Sequence, residues 1–184
     1  MKKLLLVSAT ALFIGNVAHA APGPSTVNGG TVHFQGEFVN AACSVSSDTA
    51  NQIVNLGQHR SSAITAAAQY TANVPFSIKL VDCDTTIVKT AKFAFSGPRD
   101  QTDTTLLRVH SGPSTNAVTA SGVGIEISDS AGTVVTPDGA AFSKAETIID
   151  GNNTINFIAR YKSTAAAVTA GQAYADANFV VSYQ

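Results

Sequence analysis

The feature that most restricts the fold of this chain is a series of short segments in which apolar and polar residues alternate. Apolar side chains at every second position are typical of a β-strand with one buried face. The segments are separated by Gly-Pro pairs and by the turn sequence Asp-Gly-Asn-Asn, which breaks regular structure. Many short strands joined by turns predict an all-β fold, an antiparallel β-sandwich of the immunoglobulin-like type. Clear examples are VPFSIKL (74–80), VGIEIS (123–128) and TINFIARYKS (154–163).

The alternation also predicts which side chains face the core. In the segment 123–128 we expect Val123, Ile125 and Ile127 to point inward, and Glu126 and Ser128 to point outward. The Ala-rich stretch SAITAAAQY (62–70) is the one segment whose composition favours a helix.

The first twenty residues have the pattern of a secretory signal peptide. Lys2 and Lys3 precede the apolar run LLLVSATALFIG, and Ala18-His19-Ala20 is a small-x-small cleavage site. We expect cleavage between Ala20 and Ala21. A membrane anchor is the alternative, but the apolar run is shorter than the roughly 18–20 residues that a spanning helix needs.

The charge of the mature chain argues against two classes of partner. Without Lys2 and Lys3, nine basic residues face twelve acidic ones, a formal charge of −3. Nucleic acid and anionic membranes attract basic proteins, so neither is expected to bind. Only 12% of the chain is charged, against about 25% in typical soluble proteins. Such a surface either contacts other protein or depends on Ser, Thr, Asn and Ala for solubility.

The chain has two cysteines, Cys43 and Cys83. In an exported protein the simplest interpretation is one disulfide. A redox-active pair is the alternative, but the two residues lack the Cys-x-x-Cys spacing and have no basic neighbour that would lower a thiol pKa.

Two segments with strand periodicity lie near the ends of the chain. GGTVHFQG (29–36) alternates like a strand, yet glycines bracket it and it has no evident place in its own sheet. AYADANFVVSYQ (173–184) also alternates and needs a partner, because terminal segments fray unless they are docked. Its apolar face contains Ala175, Ala177, Phe179, Val181 and Tyr183.

Three segments resemble chaperone–usher pilins, in particular rod subunits of type 1 fimbriae. VNGGTVHFQGEFVNAACSV contains the Gly-x-x-x-Asn-x-x-Cys spacing at Gly36, Asn40 and Cys43. IKLVDCDT resembles the segment that carries the second cysteine. The C-terminal segment resembles the pilin signature, with a penultimate aromatic residue, Tyr183, and a glycine fourteenth from the end, Gly171.

The resemblance implies an incomplete immunoglobulin-like sandwich with six strands of its own. A groove bordered by the C-terminal strand is first filled by a periplasmic chaperone. At an outer-membrane usher, the N-terminal extension of the next subunit then replaces the chaperone as the seventh strand. This implies a signal peptide at 1–20, a donor-strand extension at 21–36 and a pilin domain at 37–184. The residues expected in the groove strand that the chaperone recognises are Gly171, Phe179, Val181 and Tyr183.

Strand periodicity gives two choices for the face of the extension that enters a neighbour. One face has Asn28, Gly30, Val32 and Phe34, and the other has Val27, Gly29, Thr31 and His33. We choose the first face, because burying Val32 and Phe34 would contribute roughly 3–6 kcal/mol. Gly30 is then expected at a crowded point of the groove; the alternative is that it is a flexible linker residue.

The predicted function is that of a structural subunit of a bacterial surface fimbria. Copies exported through the periplasm would polymerise with one another and join other fimbrial subunits, without a membrane anchor, and so support cell adhesion. A minor or tip-associated subunit that binds a host receptor is the alternative, and a monomeric secreted enzyme or binding module is a third.

An enzyme is disfavoured because the mature chain contains only three histidines, His33, His59 and His110, and no Gly-x-Ser-x-Gly motif. Around Asp82-Cys83-Asp84 no His or Glu cluster completes a metal site. We therefore expect no catalytic residues, no metal and no cofactor.

Overall fold

The computed structural model of the chain describes residues 26–38, 41–113 and 116–184. The chain divides into two units, Met1–Glu37 and Phe38–Gln184. The described residues of the first unit, 26–37, form neither helix nor strand. The division into an extension at 21–36 and a pilin domain at 37–184 stays a prediction, and the division at Ala20 lies outside the described residues.

The regular secondary structure in the described part of the second unit is almost all β-strand. One helical turn, α1 (Ser47–Ala50), and one 3₁₀ turn (Ser61–Ala63) are the exceptions. No helix in the described ranges is long and apolar enough to cross a membrane. The nine strands are β1 (Ser44–Val45), β2 (Val74–Cys83), β3 (Thr90–Ser96), β4 (Leu107–Arg108), β5 (Val123–Asp129), β6 (Asp138–Phe142), β7 (Glu146–Thr147), β8 (Gly151–Ser163) and β9 (Asn178–Tyr183).

The strands form two antiparallel sheets. The first sheet has the order β1-β2-β8-β5-β4. In the second sheet β3 is central, with β6 and β7 along one edge and β9 along the other. The architecture is the expected all-β, immunoglobulin-like sandwich. Nine strands are counted rather than six because β1, β4 and β7 are pieces of two residues each.

The core lies between the two sheets and follows the predicted alternation. Ile78 and Leu80 of β2 and Phe93 of β3 are completely buried. The ring of Phe157 packs edge-on against Phe93 and Phe95, with centroids 5.3 and 5.2 Å apart. Val123, Ile125 and Ile127 of β5 also face the core, as the sequence predicts.

The outer face of the first sheet differs from the expectation. Glu126 is only 2% exposed and Ser128 only 5%, although their position in the strand favours solvent. The guanidinium of Arg160 donates to Glu126 Oε1 from Nε at 2.9 Å and from Nη2 at 2.7 Å. Lys162 Nζ donates to Asp103 Oδ2 at 2.8 Å. Loops that cover this face therefore bury a network of paired charges.

The Ala-rich segment 62–70 is not an α-helix. It contains only the end of the 3₁₀ turn, and Ala68 has φ of 61°. Tertiary hydrogen bonds hold it instead, since Ser163 Oγ donates to Ala66 O at 2.8 Å and accepts from Gln69 N at 2.9 Å. So short a stretch cannot offset the cost of helix nucleation by itself.

Candidate strand-binding groove

A long groove of about 1680 Å³ opens along one side of the second unit. Two segments form its rims, residues 51–59 and residues 173–179. The side chains that line its floor belong to the hydrophobic core and, apart from Tyr161, are almost fully buried. The groove thus reaches down to the core along one seam, as in an incomplete sandwich. The floor is formed by Ile78, Phe95, Leu107, Val123, Ile125, Ile127, Ala159 and Tyr161.

The C-terminal rim is paired on one side only. Gln184 and Thr90 exchange two backbone hydrogen bonds of 2.9 Å, so the even-numbered residues of β9 bond to β3. Upstream, Gln172 N donates to Val118 O at 2.7 Å and Tyr174 N donates to His110 O at 2.9 Å. The backbone N–H and C=O groups of the even-numbered residues therefore point toward the rest of the protein along the whole rim.

The odd-numbered residues of this rim, Ala173 to Tyr183, turn their backbone groups to the open side, and we call this row the open edge. The first four of these residues, Ala173 to Phe179, line the groove. Phe179, Val181 and Tyr183 pack against the core. In the described residues no backbone group pairs with the open edge. A buried seam with unpaired N–H and C=O groups is a site where another strand can add.

The opposite rim, residues 51–56, is extended and alternates in the same way. Val54 and Leu56 turn toward the core, whereas Ile53 is 95% exposed. Within the described chain this rim makes no backbone–backbone hydrogen bond. This extended segment was not predicted from the sequence, although the alternation of Val54, Asn55 and Leu56 before Gly57 is a short strand signal.

Two tyrosine hydroxyls link the C-terminal rim to the first sheet. Tyr161 Oη donates to Ala173 O at 2.7 Å, and Tyr183 Oη donates to Cys43 O at 3.3 Å. Burial raises the pKa of both hydroxyls, so both remain protonated donors at neutral pH. Among the described residues, the first of these bonds is the only hydrogen bond to a backbone group of the open edge.

Two predicted positions have clear structural roles next to the groove. Cys43 and Cys83 form the expected disulfide, which joins the residue before β1 to the end of β2. Gly171 lies where the rim approaches residues 118–120 most closely. A Cβ atom on Gly171 would be 2.5 Å from Ala120 N and 2.6 Å from Val118 O, so the backbone contact itself requires glycine.

The proposed donor residues lie in the first unit and are not in a strand. The side chains of Val32 and Phe34 are 73% and 91% exposed. Gly30 has φ of +106° and donates from its backbone N to Asn28 Oδ1 at 3.4 Å. The assignment of an inward face therefore stays a prediction. Ala20 and Ala21 lie outside the described residues.

Comparison with known proteins identifies the family. The family model described as "Fimbrial protein" matches residues 32–184. The chain belongs to the fimbrial protein family. This fimbrial protein is 50% identical over 187 residues to the fimbrial subunit type 1 of Salmonella typhimurium, with both chains covered completely. The resemblance found in the sequence is confirmed.

Solved structures give the same result for the fold. The rod subunit PapA of the P pilus has a TM-score of 0.65 and 29% identity, covering 78% of the fimbrial protein and all of PapA. A subunit from a chaperone–usher pilus structure that explains rod uncoiling has a TM-score of 0.70 and 32% identity, covering 91% of the fimbrial protein and all of that subunit. This fimbrial protein is a structural subunit, not an enzyme.

Proposed function

We propose that this fimbrial protein builds a surface fibre in which each copy inserts its extension, residues 26–36, into the groove of the next copy. Asn28, Gly30, Val32 and Phe34 face the neighbour's core. The observation that carries the proposal is the groove itself, which has an apolar floor and, on each side, a rim whose backbone groups have no backbone partner among the described residues.

The groove and the extension each lack a strand partner. A groove that reaches the core and is bordered by unpaired backbone groups loses free energy to unmade hydrogen bonds. The extension has a strand pattern but no ladder partner, and its two largest apolar side chains, Val32 and Phe34, are mostly exposed. Insertion pairs the backbone of both segments and buries both side chains, for roughly 3–6 kcal/mol from the side chains alone.

The direction of the inserted strand follows from the position of Cys43, near Tyr183 at the end of β9. The extension leaves each copy at this end. An inserted strand antiparallel to β9 ends near the Ala175 end of the neighbour, so every copy stacks in the same direction. A parallel strand would bring two Tyr183 ends together. Antiparallel insertion therefore produces an open head-to-tail fibre.

Before assembly the subunit is exported. The signal peptide, residues 1–20, is removed between Ala20 and Ala21, and a periplasmic chaperone covers the groove. The chaperone contacts the strand that contains Phe179, Val181 and Tyr183, while Gly171 keeps the rim close to residues 118–120. An outer-membrane usher then exchanges the chaperone for the next extension, and the fibre with its other fimbrial subunits extends from the cell surface.

The test compares the two faces of the extension. The double variant Val32→Ser with Phe34→Ser removes the inward apolar groups, and Thr31→Ser with His33→Ser is the matched control on the other face. We expect the control to give fibres by electron microscopy and an unboiled polymer ladder on a gel. The first variant should remain monomeric. Fibres of normal stability from the first variant would refute the proposal.

A further inference from the structure

The extension contains the one Asn-Gly pair of the chain, Asn28-Gly29. An asparagine before glycine readily loses its side-chain amide, because the next backbone nitrogen can attack the side-chain carbonyl and glycine has no Cβ to hinder it. Both residues are exposed and lie outside helix and strand. We propose that Asn28 is a self-modification site, at which copies that have not been assembled convert this asparagine into aspartate or isoaspartate.

The backbone around Asn28 is arranged for this attack. Gly30 N donates to Asn28 Oδ1 at 3.4 Å, which keeps the side-chain carbonyl on the side of the backbone that leads to Gly29. A donor to Oδ1 also stabilises the negative charge that develops on this oxygen when Cγ is attacked. Gly29 N has no hydrogen-bond partner among the described residues, and a Cβ on Gly29 would meet nothing within 4 Å. The attacking nitrogen is therefore accessible.

The reaction needs no reagent except water. Gly29 N bonds to Asn28 Cγ, the Cγ–Nδ2 bond breaks, and Nδ2 leaves as ammonia with the proton that Gly29 N loses. The product is a cyclic imide. Water then opens the ring at Cγ to give aspartate, or at the backbone carbonyl carbon to give isoaspartate, in which the main chain runs through Cβ and Cγ. Because the nitrogen attacks after losing its proton, the rate rises with pH.

A second asparagine separates the effect of the glycine from the effect of the turn. Asn55 is exposed, and its Oδ1 accepts from Gly57 N at 2.9 Å, which is the same hydrogen bond to the residue two positions later. The next residue, however, is Leu56, whose side chain is half-buried and packs against the core. This side chain hinders attack by Leu56 N. Asn55 should therefore stay intact under conditions in which Asn28 reacts.

The effect of the reaction on assembly rests on the proposed strand insertion. Asn28 belongs to the face that we assign to the neighbour's core, and both products carry a carboxylate, which is costly to bury. Isoaspartate also lengthens the main chain and so disturbs the alternation of side chains before Gly30. Converted copies should therefore be excluded from fibres. Insertion should in turn protect Asn28, because an extended strand lacks the turn that brings Cγ toward Gly29 N.

Peptide mapping by mass spectrometry tests the site in the full mature chain. Unassembled subunit is kept at neutral and at mildly alkaline pH, and the acid forms of Asn28 and Asn55 are measured over time. We expect Asn28 to convert at least several-fold faster than Asn55, and faster at the higher pH. Gly29→Ala should slow the conversion at least several-fold, because it adds a Cβ beside the attacking nitrogen. An intact Asn28, or equal rates at both asparagines, would overturn the site.

The charge that the reaction adds is tested separately with two variants. Asn28→Asp carries the carboxylate from the start, whereas Asn28→Gln keeps an amide and would have to close a larger, slower-forming ring. We expect Asn28→Asp to give an unboiled polymer ladder at least several-fold weaker than that of Asn28→Gln. Ladders of equal strength would overturn the effect of the modification on assembly.

Assembled fibres separate the modification from the strand insertion. The same peptides are measured in fibres and in unassembled subunit, for which the chain with Val32→Ser and Phe34→Ser serves if the native subunit polymerises. We expect Asn28 to convert at least several-fold more slowly in fibres. Equally fast conversion in both samples would leave the modification site standing but contradict the insertion of the extension. Slow conversion in both samples would overturn the site and leave the insertion untouched.

Discussion

Gly30 must satisfy different backbone requirements before and after insertion. In the described extension it has φ of +106°, whereas a strand needs φ near −140°, and glycine adopts both without a steric cost. Both requirements are met because Gly30 has no side chain.

We therefore expect Gly30→Leu to leave the subunit folded but to stop fibre growth. Gly29→Leu is the matched control, because Gly29 belongs to the outward face and a Cβ there meets nothing within 4 Å. The measurement is the length of the unboiled polymer ladder. Ladders of equal length for both variants would contradict the assignment of Gly30 to the inward face.

Gly171 is constrained by a backbone contact rather than by the inserted strand. A Cβ atom would lie 2.5 Å from Ala120 N, which would disturb the hydrogen bond of 2.8 Å from Ala120 N to Gln172 O. We expect Gly171→Ala to reduce the free energy of unfolding of the subunit by about 1–3 kcal/mol. Gly36→Ala, which meets nothing within 4 Å, is the control, and an equal unfolding midpoint for both variants would refute the contact.

At the scale of elements, the paired charges outside the first sheet connect β8 to the loop before β4. The hydrogen bond from Lys162 holds the pKa of Asp103 below its ordinary value of 3.8. A depressed carboxyl pKa in the folded state stabilises the protein above the unfolded pKa, and this stabilisation is lost as the pH falls through the folded value. The stabilisation from the ion pair between Lys162 and Asp103 should therefore be lost only as the pH falls below about 3.8.

Asp103→Asn should accordingly reduce the slope with which the free energy of unfolding falls as the pH is lowered. Asp48, Asp138 and Asp150 also have lowered pKa values, so the variant should remove only part of the slope. The measurement is the urea midpoint between pH 5 and pH 2, with Glu37→Gln, an exposed site outside the sheets, as control. Identical slopes for Asp103→Asn and the native chain would contradict the role of this pair.

The elements also show what the sequence could and could not predict. The strands β2, β5 and β8 were predictable because local alternation matches a sheet with one face in the core. The rim at 51–56 was not predicted because its alternation covers few residues. No described strand pairs with it. The burial of Glu126 depends on Arg160 and on loops distant in sequence, and no local pattern contains that information.

For the groove itself, the inward residues Phe179 and Val181 were predictable from alternation. The bond from Tyr161 to Ala173 was not, because it joins β8 through one hydroxyl to a residue outside the strands. The regular strand β9 begins only at Asn178, although the alternation starts earlier. The preceding residues Gln172 and Tyr174 form isolated bridges with Thr119 and His110 of the connection between β4 and β5.

At the scale of the whole molecule, each copy in the proposed assembly offers one groove and one extension, so the addition of copies never closes into a ring. A rod subunit assembled in this way makes up most of the fibre. Deleting the gene should therefore remove surface fibres entirely when cells are viewed by electron microscopy, and restoring the gene should return them. Fibres that are merely shortened, or that lack only a tip, would indicate a minor subunit instead.

The open edge also determines how such a fibre would carry mechanical load. Its free backbone groups are spread along the strand from Ala175 to Tyr183, and the inserted segment runs beside them. Tension on the fibre acts along this strand, so it loads the hydrogen bonds in shear, all at once, rather than peeling them apart one after another. A joint without any covalent bond between copies can then withstand forces that would unzip a hairpin.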